Sequence, residues 1–168
     1  MERVTIEGWG KPYNLPWLQE IYLIQITQVI PSNLHTDLPA LKQNATITKI
    51  TFPPAGAFFD LAQENQTTYN IKVSVQMPGF ADAMHVFLKK YAAMEFVVIA
   101  RDRNEMTWCL GNHEKGLKTV FQYTNNSRSI KSVDFSGKLS SLAVSQSDIL
   151  IEMILQGEFS EEFSQEFK

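Results

Sequence analysis

The chain has 168 residues, of which 44% are hydrophobic and 20% charged, and a net charge of −3. These values describe one ordinary globular domain that can bury a core unaided, and they exclude a disordered chain. The 15 Lys and Arg residues are scattered, which excludes a basic surface for phosphate binding, and the lone Cys109 excludes an intramolecular disulfide and a Cys-based zinc site.

Residues 1–16 carry Gly8, Gly10, Pro12 and Pro16, with Trp9 and Tyr13 between them. That composition predicts an extended arm that packs on its own domain or on a neighbouring subunit. The first eight residues have no apolar signal-peptide core, and no apolar run is long enough for a membrane span, so a cytosol-like compartment is expected. The triplets at Asn44, Asn65 and Asn125 then carry no glycosylation meaning.

From Trp17 to Ile30 the apolar positions Leu18, Tyr22, Ile24, Ile26 and Ile30 fall mostly on one parity, and a long strand is expected. Residues 31–44 read as a polar loop, long enough to be a candidate for intersubunit contact. Ala45 to Phe52 is a second strand, stopped by Pro53-Pro54-Ala55-Gly56. Residues 57–68, ending in the polar run Gln63 to Thr68, read as a loop or a broken short strand.

Tyr69, Ile71, Val73, Val75 and Met77 alternate with Asn70, Lys72, Ser74 and Gln76, the pattern of a half-buried strand. After Pro78-Gly79, the residues Phe80, Ala83, Met84, Phe87, Leu88, Tyr91 and Met94 recur at three- and four-residue spacing. They predict a helix over 80–94, with Asp82 in its first turn and Lys89-Lys90 near its end, that caps a β-layer. The run from Phe96 to Ala100 leads through a turn at Asp102 to Glu105 into the short aromatic strand Thr107 to Gly111. Residues 117–123 and 129–139 alternate more weakly. The stretch from Asp148 to Gln156 is apolar on both parities apart from Glu152, and is expected to be a strand covered on both sides. In the tail from Gly157 to Lys168, a helix would place Phe159, Phe163 and Phe167 on one stripe. Such a stripe clasps a partner or folds back on its own domain.

Catalytic signatures are missing. His35, His85 and His113 lack metal-ligand spacing; His113-Glu114 is followed by no second histidine at the required position. There is no Gly-x-Ser-x-Gly elbow and no phosphate-cradling loop. Cys109 reads as a buried structural thiol, and Asp102 and Glu105 as turn carboxylates. Trp9, Trp17 and Trp108 are expected as core or interface anchors, with a ligand platform as the other use. The expectation is no enzyme, no cofactor and no metal.

The run from Glu95 to Gly111, followed by Gly116-Leu117 and by Val133-Asp134-Phe135-Ser136-Gly137-Lys138-Leu139, resembles small tail or neck structural proteins of phages and prophages of Bacteroides-type bacteria. The resemblance covers residues 45–144 and rests on hairpin and turn patterns. Where those proteins read Asn-Gly at the turn, this chain has Asn104-Glu105. The resemblance implies a tail-tube-like β-sandwich or small barrel flanked by one helix, and a ring subunit of the tail tube or of the head–tail connector that forms a conduit for DNA. It implies a place in the virion after assembly in the host cytoplasm. The partners it implies are further copies of the chain and other tail or neck proteins, with DNA only as transient, non-specific cargo. It carries over no functional side chains.

The expected architecture is therefore mainly β with one flanking α-helix (α+β). An N-terminal arm spans 1–16, a single β-rich domain spans 17–156 with its helix at 80–94, and a C-terminal interaction tail spans 157–168. Trp9, Tyr13, Trp17, Phe159, Phe163 and Phe167 are the candidate subunit-interface residues. The alternative function is a small-ligand or carbohydrate-binding β-sandwich module.

Overall fold

In the computed structural model the described residues are 17–32, 37–77, 86, 89–124 and 130–166; of these, 77, 121–124, 130–131 and 158–166 are described by backbone alone. The strands are β1 (Leu18–Gln25), β2 (Val29–Ile30), β3 (Ala40–Leu41), β4 (Ile47–Ile50), β5 (Ala57–Asn65), β6 (Thr68–Met77), β7 (Glu95–Asp102), β8 (Thr107–Leu110), β9 (Leu117–Thr124), β10 (Ile130–Leu139) and β11 (Ala143–Ser145). A helix, α1 (Ile149–Glu166), follows them. The fold is mainly β and every strand pairing is antiparallel.

Strand β7 is the seam of the large sheet. One of its edges pairs with β1 along its length. The other is divided: Val98 to Arg101 pair with β8, whereas Glu95 and Phe96 pair with β9. The sheet therefore splits into two leaves, β4-β1-β7-β8-β11 and β9-β10-β6-β5. Between them lies the larger core, built by Ile21, Leu23, Phe96, Val98 and Leu110 from one leaf and Ile71, Val73, Phe135 and Leu117 from the other. Phe96 meets Phe135 edge to face at 6.4 Å between ring centroids, and Tyr91 meets Phe96 at 5.9 Å.

The opposite parity of the first leaf makes a second core. Ile24, Val97, Ile99 and Cys109 face Leu41, Ile149 and Met153, so α1 and the β2–β3 pair cover that side. A strand buried on both faces needs apolar residues at both parities, which is why Phe96 to Ala100 reads as a continuous apolar run. The same reasoning corrects the expectation for residues 17–30: Ile21 and Leu23 face one core and Ile24 the other. The strand is also interrupted by a 3₁₀ turn at Ile26–Gln28.

Three further expectations are corrected. Residues 57–65 form the nine-residue strand β5, paired with β6 throughout. Its polar end is the outer strand of a hairpin, closed by Asn65 Oδ1 accepting from Thr67 N at 2.9 Å, and an outer strand keeps one side wet. Residues 149–156 are helical, and the sequence pattern could not separate helix from strand because apolar residues occur at every phase. What decides it is Asp148, whose Oδ1 accepts from Leu150 N at 3.1 Å and Ile151 N at 3.4 Å as an N-cap. The described part of the stretch at 31–44 is not a polar loop throughout: Leu38, Ala40 and Leu41 are buried and Ala40–Leu41 form β3, while Asp37 and Lys42 to Asn44 are exposed. The helix expected over 80–94 falls mostly outside the described residues; residues 86 and 89–91 are helical, and Met94 N donates to Tyr91 O at 3.0 Å.

The β7–β8 hairpin forms as expected. Asp102 Oδ1 accepts from Asn104 N at 2.8 Å and Met106 N at 3.0 Å, and its Oδ2 from Trp108 Nε1 at 3.2 Å. Glu105 sits at φ 66°, the left-handed position that glycine fills most readily.

Candidate subunit interface

Apart from Glu152, helix α1 is apolar from Ile149 to Leu155, and a helix of that kind is ordinarily enclosed. Here only one stripe is. Ile149 and Met153 are fully buried against the first leaf, and Gly157 brings the helix onto the backbone of Leu41. On the other side Ile151, Ile154 and Leu155 are 54%, 38% and 48% exposed. Those three positions, at i, i+3 and i+4, make one patch. Among the described residues, eight large hydrophobics are exposed, and three of them fall in this single turn and a half. Scattered exposed apolar residues need no explanation, but a contiguous group marks a contact surface.

A groove of about 170 Å³ runs beside that patch, between α1 and β4, lined by Leu41, Lys42, Gln43, Ala45, Ile47 and Ile154. Strand β4 pairs with β1 alone among the described residues, so its outer edge borders the groove with unpaired backbone groups. The outer edge of β5 likewise has no strand partner among the described residues, and β5 carries Asp60 and Glu64, charges that discourage indiscriminate strand pairing.

Of the six residues expected at an interface, the described structure places one in full. Trp17 is 37% exposed, stands at the start of β1 with Arg103 over its ring at 5.6 Å, and its carbonyl accepts from Arg103 N at 3.3 Å. Trp9, Tyr13 and Phe167 lie outside the described residues. Phe159 and Phe163 lie on α1, in the part described by backbone alone, so the helix runs without a break through the position where the sequence predicts the tail to begin. The sequence reading misses Ile151, Ile154 and Leu155. Reading the run from Asp148 as a capped helix would have found them, because helical spacing puts them opposite Ile149 and Met153.

Several charged side chains are paired with one another. Lys72 Nζ lies 3.2 Å from Asp134, Lys138 Nζ 2.8 Å from Glu64 and Lys118 Nζ 3.7 Å from Glu95, matching the three lysines on the outer face of the second leaf. Lys138 holds the Glu64 carboxyl below its ordinary range. A hydrogen bond to Glu20 holds the Lys49 ammonium above its ordinary value, and Tyr22 adds to the effect with its ring 5.4 Å from Nζ. A cleft of about 100 Å³ at the start of α1 is lined by Glu20, Tyr22, Arg101, Thr107, Ser147 and Asp148 among others. There, Asp148 is spent on the helix cap and Ser147 Oγ on Glu152.

Cys109 is buried, and desolvation pushes its thiol up to about 12. Trp108 is held edge to face on Phe59 at 5.1 Å and donates to Asp102, while the exposed His113 faces Glu114 at 3.6 Å. Among the described residues no group of three or more His, Cys, Asp or Glu could hold a metal, and no helix is long and apolar enough to cross a membrane. No family model, no curated protein and no solved structure matches the chain.

Proposed function

We propose that the protein is a virion structural subunit that assembles with copies of itself into a ring or stacked tube, of the tail-tube or head–tail connector kind, through which DNA passes. The observation that carries this reading is the exposed Ile151–Ile154–Leu155 patch on a helix already anchored to the sheet by its opposite stripe. A rigid two-leaf body holding an apolar helix face outward has the form of a building block. A patch on one side meeting a different surface of the next copy makes the heterologous contact from which rings close. The resemblance of residues 45–144 to small phage tail and neck proteins suggests the kind of assembly.

The paired lysines on the second leaf support DNA as cargo. Tight phosphate binding draws on free cations, and Lys72, Lys118 and Lys138 each already face a carboxylate. A carbohydrate-binding module is less well supported. It needs open aromatic faces, whereas Trp108 is engaged by Phe59 and Asp102 and Trp17 lies under Arg103.

Size-exclusion chromatography with light scattering, together with negative-stain microscopy, tests the assembly. Rings or tubes of fixed diameter are expected. A strict monomer across the accessible concentration range refutes the reading.

A further inference from the structure

We propose that the groove between α1 and β4 receives the N-terminal arm, residues 1–16, of a neighbouring copy of this chain. The inference rests on the assembly reading above and names the contact that builds the assembly.

The groove offers both things an extended segment needs. Its floor and wall are apolar, from Leu41, Ala45, Ile47 and Ile154, and the adjoining Ile151 and Leu155 widen the apolar surface along the helix. Its rim is the outer edge of β4, whose backbone groups have no strand partner among the described residues. A strand edge beside an apolar groove captures extended peptides by adding backbone hydrogen bonds on one side and side-chain burial on the other.

The arm suits that site in composition. Arg3-Val4-Thr5-Ile6-Glu7 alternates polar and apolar residues, and Trp9 and Tyr13 follow among glycines and prolines that oppose a helix. Sixteen residues extend to about 53 Å at 3.3 Å per residue. Direction then favours a neighbour over the chain's own groove. Strands β1 and β4 pair with Ile24 opposite Ile47 and Ile21 opposite Ile50, so the groove at Ile47 lies towards the far end of β1. Trp17 is seven residues back from Ile24, about 23 Å along the strand. The chain at Trp17 is tied to Arg103 through its carbonyl and its ring. Strand β1 runs from this root towards the groove, so the described chain begins at the end of β1 opposite to it.

The test uses the full chain. Protein carrying Lys11→Cys, which leaves Trp9 and Tyr13 in place, is mixed with protein carrying Gln43→Cys and treated with a short bis-maleimide; buried Cys109 stays silent while the chain is folded. A covalent heterodimer is expected, and adding Ile154→Glu to the Gln43→Cys partner should cut its yield at least several-fold while the far-ultraviolet spectrum is retained. A chain carrying both Lys11→Cys and Gln43→Cys is treated in parallel, and the proposal is overturned if the link forms only within that single chain, showing that the arm docks at home. It is equally overturned if no link forms or if Ile154→Glu leaves the yield unchanged. Light scattering on the same samples keeps the two ideas apart. Intact rings without the heterodimer sink the arm contact alone, whereas monomers sink the assembly reading as well.

Discussion

Replacing Gly157 by alanine sets two opposed effects against each other. In a helix interior, alanine is favoured over glycine by about 1 kcal/mol, so on an open helix the change would stabilise the protein. At this position a Cβ would overlap the carbonyl oxygen of Leu41 and lie 3.1 Å from its carbonyl carbon. Ordinary carbon–oxygen approach is about 3.3–3.6 Å. The obstruction is backbone in β3, which cannot rotate aside, so α1 must lift by about 1 Å, and a gap of that size forfeits a quarter to a half of the local dispersion energy. The packing weakened in this way is that of Ile149 and Met153 in the second core. Overpacking of this kind costs about 1–3 kcal/mol or more. Because the overlap is with backbone, the upper end of that range applies, and set against the helical gain the net is a loss of about 2 kcal/mol, or a fall in Tm of about 4–8 °C for a domain of this size. Urea and thermal denaturation followed by circular dichroism, at several protein concentrations so that any assembly contribution is separated, measure it. A Gly157→Ala protein as stable as the parent, or more so, would show that the helix does not press on Leu41.

Glu105→Gly should act in the opposite direction. Relief of the left-handed strain at φ 66° exceeds the entropy that glycine adds to the unfolded chain, giving a gain of up to about 1 kcal/mol in urea denaturation; an unchanged or lower midpoint counts against the turn geometry. Cys109, with its thiol pushed up to about 12, should resist thiol reagents at pH 8 in the folded protein and react only as the chain unfolds, so fast labelling without denaturant would refute its burial. Glu64, whose carboxyl Lys138 holds below its ordinary value of 4.5, contributes stability that is present above that value and lost as pH falls through the lowered one. Comparing Glu64→Gln with the parent, the stability difference seen at pH 7 should vanish in strong acid and shrink in high salt; a difference that persists in acid contradicts the pairing.

Legibility followed burial. Strand β6 and the β7–β8 hairpin could be read directly, because one wet face gives a clean alternation at Tyr69 to Met77, and because an aspartate able to accept from Asn104, Met106 and Trp108 advertises a turn. Strand β1 and helix α1 were harder for a shared reason: they border the second core, where Ile21 to Ile24, and Ile149 to Leu155 apart from Glu152, are apolar at both parities. Strand β5 was obscured by its exposure, since the polar run from Gln63 looks like loop when viewed without its partner β6. The candidate contact surface was invisible to strand-based reasoning, which placed Ile151 and Leu155 on one covered face with Ile149 and Met153. Only the helical rotation separates the buried pair from the exposed group.

Strand β7 lends the whole molecule a common fate. Because its edges serve β1 on one side and both β8 and β9 on the other, the first leaf is incomplete without it and the second is joined to the first through it. No fragment ending before Glu95 contains either leaf of the large sheet complete, so a growing chain must wait until more than half of it is synthesised before either core can close. Once closed, the amides from Val97 to Ala100 are shielded on both sides, and their hydrogens should exchange with solvent only when the entire domain opens. The strand is thus the molecule's slowest clock, and its exchange rate reads global stability directly.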